Sequence, residues 1–223
     1  MKINLQNVKA VIFDMDGLLL DTEPWSFFGI NAALKTLNYN EISLEQFKQI
    51  IGKTSQVINT KLSEWYPAGF DSKAVLELSG EKIRQRRETE APAIKPGAVE
   101  LLETLESLKI KKIIASSTSY NQIILNLKTV NLLDKFDNIV GGDQIVNGKP
   151  APDIFLKAAE LLETAPQNCL VLEDSVAGSQ AAIAAKIPLI IIPDLLEPIP
   201  ETKEAALACL ESLHDVNNLF KAL

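Results

Sequence analysis

A chain of 223 residues, 47% of them hydrophobic and 23% charged, is long enough to bury one large core and a smaller appended one, which argues against a disordered protein. Lys and Arg number 22 against 29 Asp and Glu, and the resulting net charge of −7 disfavours general electrostatic binding to nucleic acid or an anionic membrane. We therefore expect a small-molecule partner, with no nucleic acid and no membrane.

The first predicted strand is the apolar run from Val8 to Phe13. Asp14 and Asp16 interrupt it at once, so the amino-terminal segment lacks the hydrophobic stretch of a secretion signal. The later apolar run 187–193 is far shorter than the roughly 20 residues that span a bilayer. These features predict a cytoplasmic protein.

Helical spacing of apolar residues, without a convincing strand, follows from about residue 24 to residue 90. The segment Ala91–Gly97 contains two prolines, which restrict the backbone before a new helix begins near Pro96. We therefore predict a helical cap domain at 23–92, inserted into a core formed by 1–22 and 93–223.

Strand and helix patterns alternate after the insert. We predict helices over 99–108 and 154–162 and strands over 112–115, 136–140, 169–172 and 189–192. This alternation predicts an α/β fold: a doubly wound parallel sheet in a three-layer, Rossmann-like core, with the all-helical cap inserted.

Acidic side chains come directly after two of the predicted strands. Asp14 and Asp16 follow the first strand, and Glu173 and Asp174 follow the strand 169–172. Ligands of open α/β sheets bind beyond the carboxyl ends of the strands, so we expect these residues at one edge. Carboxylates from different strands repel one another unless a hard cation neutralises them, and oxygen ligands suit Mg²⁺. The pattern therefore predicts a magnesium site.

The same edge offers groups for a phosphate. Lys149 supplies a cation for phosphate oxygens, and Ser116 with the adjacent backbone N–H groups, beginning at Ser117, would donate hydrogen bonds to it. Asp14 and Asp16 are two residues apart, so in an extended segment their side chains face the same way. One could then attack phosphorus while the other exchanges a proton with the leaving group.

These blocks resemble the four motifs of the haloacid dehalogenase superfamily, in order and over essentially the whole chain. The matching residues are Asp14-Met15-Asp16-Gly17, Ser116, Lys149 in Gly-Lys-Pro-Ala-Pro-Asp, and Glu173-Asp174-Ser175. The resemblance is to the helical-cap subgroup that includes sugar-phosphate phosphatases and β-phosphoglucomutase. It implies that the insert after Asp21 is a cap that closes over the site.

The resemblance also implies residue roles. Asp14 would be the nucleophile that forms an aspartyl-phosphate, and Asp16 the general acid and then base. Mg²⁺ would be held by Asp14, the backbone carbonyl of Asp16 and Asp174, with Glu173 close to it. The phosphoryl oxygens would be held by Ser116 and Lys149. Because Asp16 suits phosphoryl transfer, it argues against the carbon-attacking dehalogenases of the superfamily.

The cap sequence separates a phosphatase from a mutase. The mutase pattern has a histidine just after the first motif, an arginine in the next cap loop and a lysine after the second motif. Here Ser26 stands near the first position, and the loop reads Gly52-Lys53-Thr54-Ser55. Ser119 or Tyr120 replaces the lysine, and the chain's one histidine is His214, far from the first motif. These departures from the mutase pattern favour a phosphatase.

We therefore predict a Mg²⁺-dependent phosphatase acting on a small phosphomonoester, with sugar or polyol phosphates favoured. The alternatives are a phosphosugar mutase resembling β-phosphoglucomutase, or a non-catalytic binding module that has kept the fold. Intact Asp14, Asp16, Lys149 and Asp174 argue against the binding module. We expect a monomer, with a weak dimer as the alternative, and the sequence leaves the exact substrate open.

Overall fold

The computed structural model describes residues 5–53 and 55–223. Thr54, in the cap loop that differs from the mutase pattern, is outside the described residues. The chain divides into two compact units, one formed by Met1–Asp21 with Ala93–Leu223 and the other by Thr22–Pro92.

The first unit contains a parallel sheet with the strand order β5-β4-β1-β6-β7-β8. A separate antiparallel ribbon pairs β2 with β3 where the chain leaves this unit and returns to it. The strands are β1 Ala10–Phe13, β2 Leu20–Asp21, β3 Ala93–Ile94, β4 Lys111–Ser116, β5 Asn138–Gly141, β6 Cys169–Glu173, β7 Leu189–Ile191 and β8 Ala208–Cys209.

Helices cover both faces of this sheet. The helices of the first unit are α5 Ala98–Ser107, α6 Tyr120–Thr129, α7 Asp153–Leu161, α8 Val176–Ala184, α9 Pro200–Ala205 and α10 Leu213–Lys221. The helices of the second unit are α1 Glu23–Thr36, α2 Leu44–Lys48, α3 Ser55–Trp65 and α4 Ser72–Arg87. The predicted α/β class, with a doubly wound parallel sheet and an inserted helical domain, is confirmed. Within the described ranges, no helix has the length and apolarity that crossing a membrane requires.

Strand β1 shows why the core has three layers. Val11 and Phe13 belong to one buried apolar cluster with residues of α5, α6 and α10, whereas Ala10 and Ile12 belong to a second cluster with residues of α7 and α8. Successive side chains of a strand point to opposite faces, so a wholly apolar strand is buried between two helical layers.

Within the described residues of the second unit, loops connect four helices, and no strand is present. Its helices α1 and α4 pack together, with Trp25 6% exposed and the Arg86 guanidinium 5.2 Å from the centre of its ring. The side chain of Asn31 binds the loop between α1 and α2. It donates to the carbonyl of Ile42 (3.2 Å) and accepts from the N–H of Ile42 (2.9 Å).

The sheet order gathers the chemical motifs. Strand β1 lies between β4 and β6, and the chain crosses from β5 on one side of β1 to β6 on the other. Ligands of open α/β sheets bind at such a reversal of strand order, beyond the carboxyl ends of the strands. The segments that follow β1, β4 and β6 therefore meet at one edge.

Candidate active site

Asp14 begins a tight turn at the end of β1. Its N–H still donates to the carbonyl of Leu172 in β6 (3.1 Å), and the turn then closes where the N–H of Gly17 donates to the carbonyl of Leu20 (2.9 Å). Gly17 has a φ of +84°, which favours glycine, and a Cβ there would lie 2.5 Å from Oδ2 of Asp174. This turn needs glycine for its backbone conformation and for the space beside Asp174.

A buried lysine joins two carboxylates at the centre of the site. Nζ of Lys149 donates to Oδ1 of Asp14 (2.5 Å) and to Oε1 of Glu173 (2.6 Å). Burial opposes the charged lysine, but the two carboxylates outweigh it and raise the pKa of Lys149 above its usual value. Burial also raises the pKa of Asp14 to about 7, against the opposing effect of Lys149. The ammonium of Lys149 therefore does not fully offset the cost of burying the charged Asp14.

Glu173 is held on both of its oxygens. While Oε1 accepts from Lys149, Oε2 accepts from the N–H (2.7 Å) and the hydroxyl (2.9 Å) of Ser175. Ser175 is also the N-cap of α8, where its hydroxyl accepts from the N–H of Gly178 (3.0 Å). Gly178 packs so closely on Glu173 that a Cβ at this position would overlap the carboxylate.

We expect Gly178→Ala to destabilise the fold by about 1–3 kcal/mol, because the added methyl group must displace Glu173 or the start of α8. Urea unfolding measures the change. Gly80→Ala in α4 is the matched control: its Cβ would meet only the end of Arg84, at 3.6 Å. It should stabilise the helix by about 0.5–1 kcal/mol. Equal effects of the two substitutions would contradict the close packing on Glu173.

Asp16 is held by two hydroxyl groups, one from Ser116 at the end of β4 and one from Thr118 just beyond it. Its Oδ2 accepts from Oγ of Ser116 (3.0 Å) and from Oγ1 of Thr118 (2.8 Å), and Oγ of Ser116 in turn accepts from the N–H of Thr118 (3.1 Å). Thr118 was not among the predicted site residues, although a second hydroxyl two residues beyond Ser116 was a visible signal. Ser117 lies in the same segment, with an exposed side chain.

The acidic residues at this edge fit a hard divalent cation. Asp14, Glu173 and Asp174 each offer a carboxylate oxygen, and these oxygens lie within 4.8 Å of one another. Lys149 brings one positive charge to these three carboxylates. Oxygen ligands and an excess of negative charge are what Mg²⁺ requires in proteins.

Comparison with known proteins agrees with this geometry. Residues 11–192 match the family model described as haloacid dehalogenase-like hydrolase. The phosphorylated carbohydrates phosphatase of Thermotoga maritima is 34% identical over 185 residues, which cover 81% of this chain and 82% of the relative. The phosphoglycolate phosphatase of Nitrosospira multiformis is 30% identical over 190 residues, 83% of each protein.

A solved structure extends the similarity to the fold. The crystal structure of a Thermotoga maritima protein provisionally named a β-phosphoglucomutase matches with a TM-score of 0.80 and 29% identity, over 97% of this chain and all of that one. The Thermotoga maritima and Nitrosospira multiformis relatives that match by sequence are named phosphatases, and this chain has the enzyme class of a phosphoric monoester hydrolase. By its sequence, its fold and the arrangement of its four motifs, the chain belongs to the haloacid dehalogenase-like hydrolase family.

Proposed function

We propose that this chain is a Mg²⁺-dependent phosphatase that hydrolyses a small phosphomonoester, a sugar or polyol phosphate, through an aspartyl-phosphate on Asp14. The observation that carries the proposal is the pairing of Asp14 with the buried cation of Lys149, beside an Asp16 held by two hydroxyl groups. The carbohydrate phosphatase among the relatives supports the substrate class.

In the first proposed step, a carboxylate oxygen of Asp14 attacks phosphorus and forms a new P–O bond. The bond from phosphorus to the ester oxygen breaks, and Asp16 gives its proton to the leaving alkoxide. Lys149 and Ser116 hold the phosphoryl oxygens, and the ammonium of Lys149 balances their negative charge.

In the second step, Asp16 takes a proton from water, whose oxygen attacks phosphorus. The bond from phosphorus to Asp14 breaks, so inorganic phosphate leaves and the carboxylate is regenerated. Asp14, the backbone carbonyl of Asp16 and Asp174 would hold Mg²⁺, with Glu173 close to it. Bound there, the ion would supply positive charge to the phosphoryl oxygens.

The domain roles belong to the same proposal. Residues 1–22 and 93–223 form the catalytic core, and residues 23–92 form a cap that selects the substrate. We further propose that the enzyme is cytoplasmic and monomeric, without nucleic-acid or membrane partners. Size-exclusion chromatography with light scattering tests the oligomeric state.

Thr118→Val tests the role of the hydroxyl groups on Asp16. We expect kcat to fall about tenfold, since the carboxyl group of Asp16, which exchanges the proton, loses one of the two hydroxyl groups that hold it. The thermal midpoint should change little, and Thr118→Ser should restore activity. Thr129→Val, which removes an exposed hydroxyl bonded within α6, is the control. Unchanged kcat in Thr118→Val would remove Thr118 from the mechanism.

Phosphate release across a panel of hexose, pentose and polyol phosphates, with Mg²⁺ and with EDTA, tests the proposed function. Metal-dependent release from a sugar or polyol phosphate supports it. The runner-up is a phosphosugar mutase, favoured by the structural match to the provisionally named β-phosphoglucomutase. Interconversion of glucose 1-phosphate and glucose 6-phosphate without release would favour the mutase, and neither activity would favour a binding module.

A further inference from the structure

Asp194, which none of the four motifs includes, lies beside the proposed metal site. The backbone between β7 and Asp194 is held in place, because the N–H of Ile192 donates to the carbonyl of Glu173 (2.8 Å). The side chain of Asp194 is only 12% exposed, and its Oδ1 accepts from Nζ of Lys95 at 2.7 Å. Its Oδ2 is buried and has no hydrogen-bond partner among the described residues.

The unpaired oxygen of Asp194 borders the same space as a carboxylate oxygen of Asp174. The point where a Cβ of Gly17 would stand is 2.5 Å from Oδ2 of Asp174 and 3.4 Å from Oδ2 of Asp194, so both oxygens border the same small space. A buried carboxylate oxygen without a hydrogen bond is costly, and a second carboxylate nearby increases the cost. This arrangement calls for a cation or its water molecules.

Lys95 holds Asp194 in this orientation. It directly follows β3 in the ribbon, where its N–H donates to the carbonyl of Leu19 (2.9 Å). Its ammonium also lies 3.8 Å from Oδ1 of Asp21, at the end of the other ribbon strand. Lys95 therefore binds one oxygen of Asp194 from a fixed backbone position, while the second oxygen borders the space that it shares with Oδ2 of Asp174.

We propose that Asp194 is a positioning residue for the divalent cation, an inference that rests on the metal site of the proposed function. Held by Lys95, it presents Oδ2 to water molecules around the cation beside Asp174. Mg²⁺ in proteins keeps several of its waters. Outer carboxylates that accept hydrogen bonds from a metal's ligands typically change metal affinity 10- to 100-fold when they are replaced.

Mn²⁺ binding to the full chain, followed by the electron paramagnetic resonance signal of the free ion without substrate, tests the inference. Mn²⁺ takes the same oxygen ligands as Mg²⁺. We expect Asp194→Asn to weaken binding about tenfold, although asparagine can still accept from Lys95. Glu197→Gln removes the same charge from an exposed position of the same loop and should change the affinity less than about twofold.

Lys95→Met separates positioning from charge alone. Removing a positive charge should strengthen cation binding if only net charge matters, whereas loss of the anchor for Asp194 should weaken it. Weaker binding in both Lys95→Met and Asp194→Asn supports the inference, provided that the metal-free unfolding midpoints stay close to that of the unmodified chain. Unchanged or stronger binding in Lys95→Met, at equal fold stability, contradicts the positioning role.

Two reference proteins distinguish failure of this inference from failure of the metal site itself. The unmodified chain should bind Mn²⁺, and Asp174→Asn should lose that binding. If both hold while Asp194→Asn binds Mn²⁺ as tightly as the unmodified chain, the role of Asp194 is refuted and the proposed function stands. If the unmodified chain does not bind Mn²⁺, the proposed metal site is refuted, and the inference falls with it.

Discussion

Asp14→Asn is expected to lower the rate of phosphate release by a factor of about 10⁴ or more while the chain stays folded. The amide is a far weaker nucleophile than the carboxylate, and it keeps the shape of the side chain at a position that is 6% exposed. Lys149 keeps its second partner, Glu173, so the buried cation is still paired. Steady-state phosphate release in Mg²⁺, with thermal unfolding as the fold check, measures the effect.

Asp137→Asn is the matched control for this substitution. Its carboxylate accepts from the N–H of Lys112 at 2.7 Å, just before β5 begins, which places it at the opposite end of the strands from Asp14. We expect its turnover to be close to that of the unmodified chain. Substantial turnover in Asp14→Asn would rule out Asp14 as the nucleophile.

Lys149→Met is expected to destabilise the fold by about 3–5 kcal/mol in a metal-free buffer and to abolish activity. The substitution leaves the carboxylates of Asp14 and Glu173 facing each other without the ammonium, at side-chain exposures of 8% and 0%. Removing one partner of a buried ion pair costs this much because the remaining charge is uncompensated. Urea unfolding in EDTA measures the loss without compensation by a bound cation.

Lys157→Met provides the control for the loss of a lysine. Lys157 pairs with Glu160 at 2.9 Å on α7, and the two side chains are 44% and 70% exposed. Exposed pairs of this kind contribute about 0–1 kcal/mol, so we expect a small change. A similarly small change in Lys149→Met would show that the buried pairing contributes little to stability.

The sequence predicted the parallel sheet because its signal is local. Val11 and Phe13 alternate with Ala10 and Ile12, and all four are apolar, as a strand between two helical layers requires. The first strand begins at Ala10 instead of Val8, because the N–H of Val8 is already used in a turn, where it donates to the carbonyl of Leu5 (3.0 Å).

Short strands and side-chain partners escaped prediction for a physical reason. The ribbon strands β2 and β3 have two residues each, too few for any periodic pattern. The contacts of Thr118 with Asp16 and of Lys95 with Asp194 join residues 102 and 99 positions apart. Such contacts depend on how strands are ordered in the sheet, and a sequence pattern carries no direct signal for them.

The phosphoryl group is expected to pass through Asp14 on its way to water. We would incubate the chain with Mg²⁺ and acetyl phosphate, quench with acid, reduce with borohydride and map the peptides by mass spectrometry. Reduction converts an aspartyl-phosphate to homoserine, so we expect homoserine at position 14, in greater amount in Asp16→Ala, where hydrolysis is slowed. Phosphate release with unmodified Asp14, or with homoserine formed at another residue, would show that the phosphoryl group does not pass through Asp14.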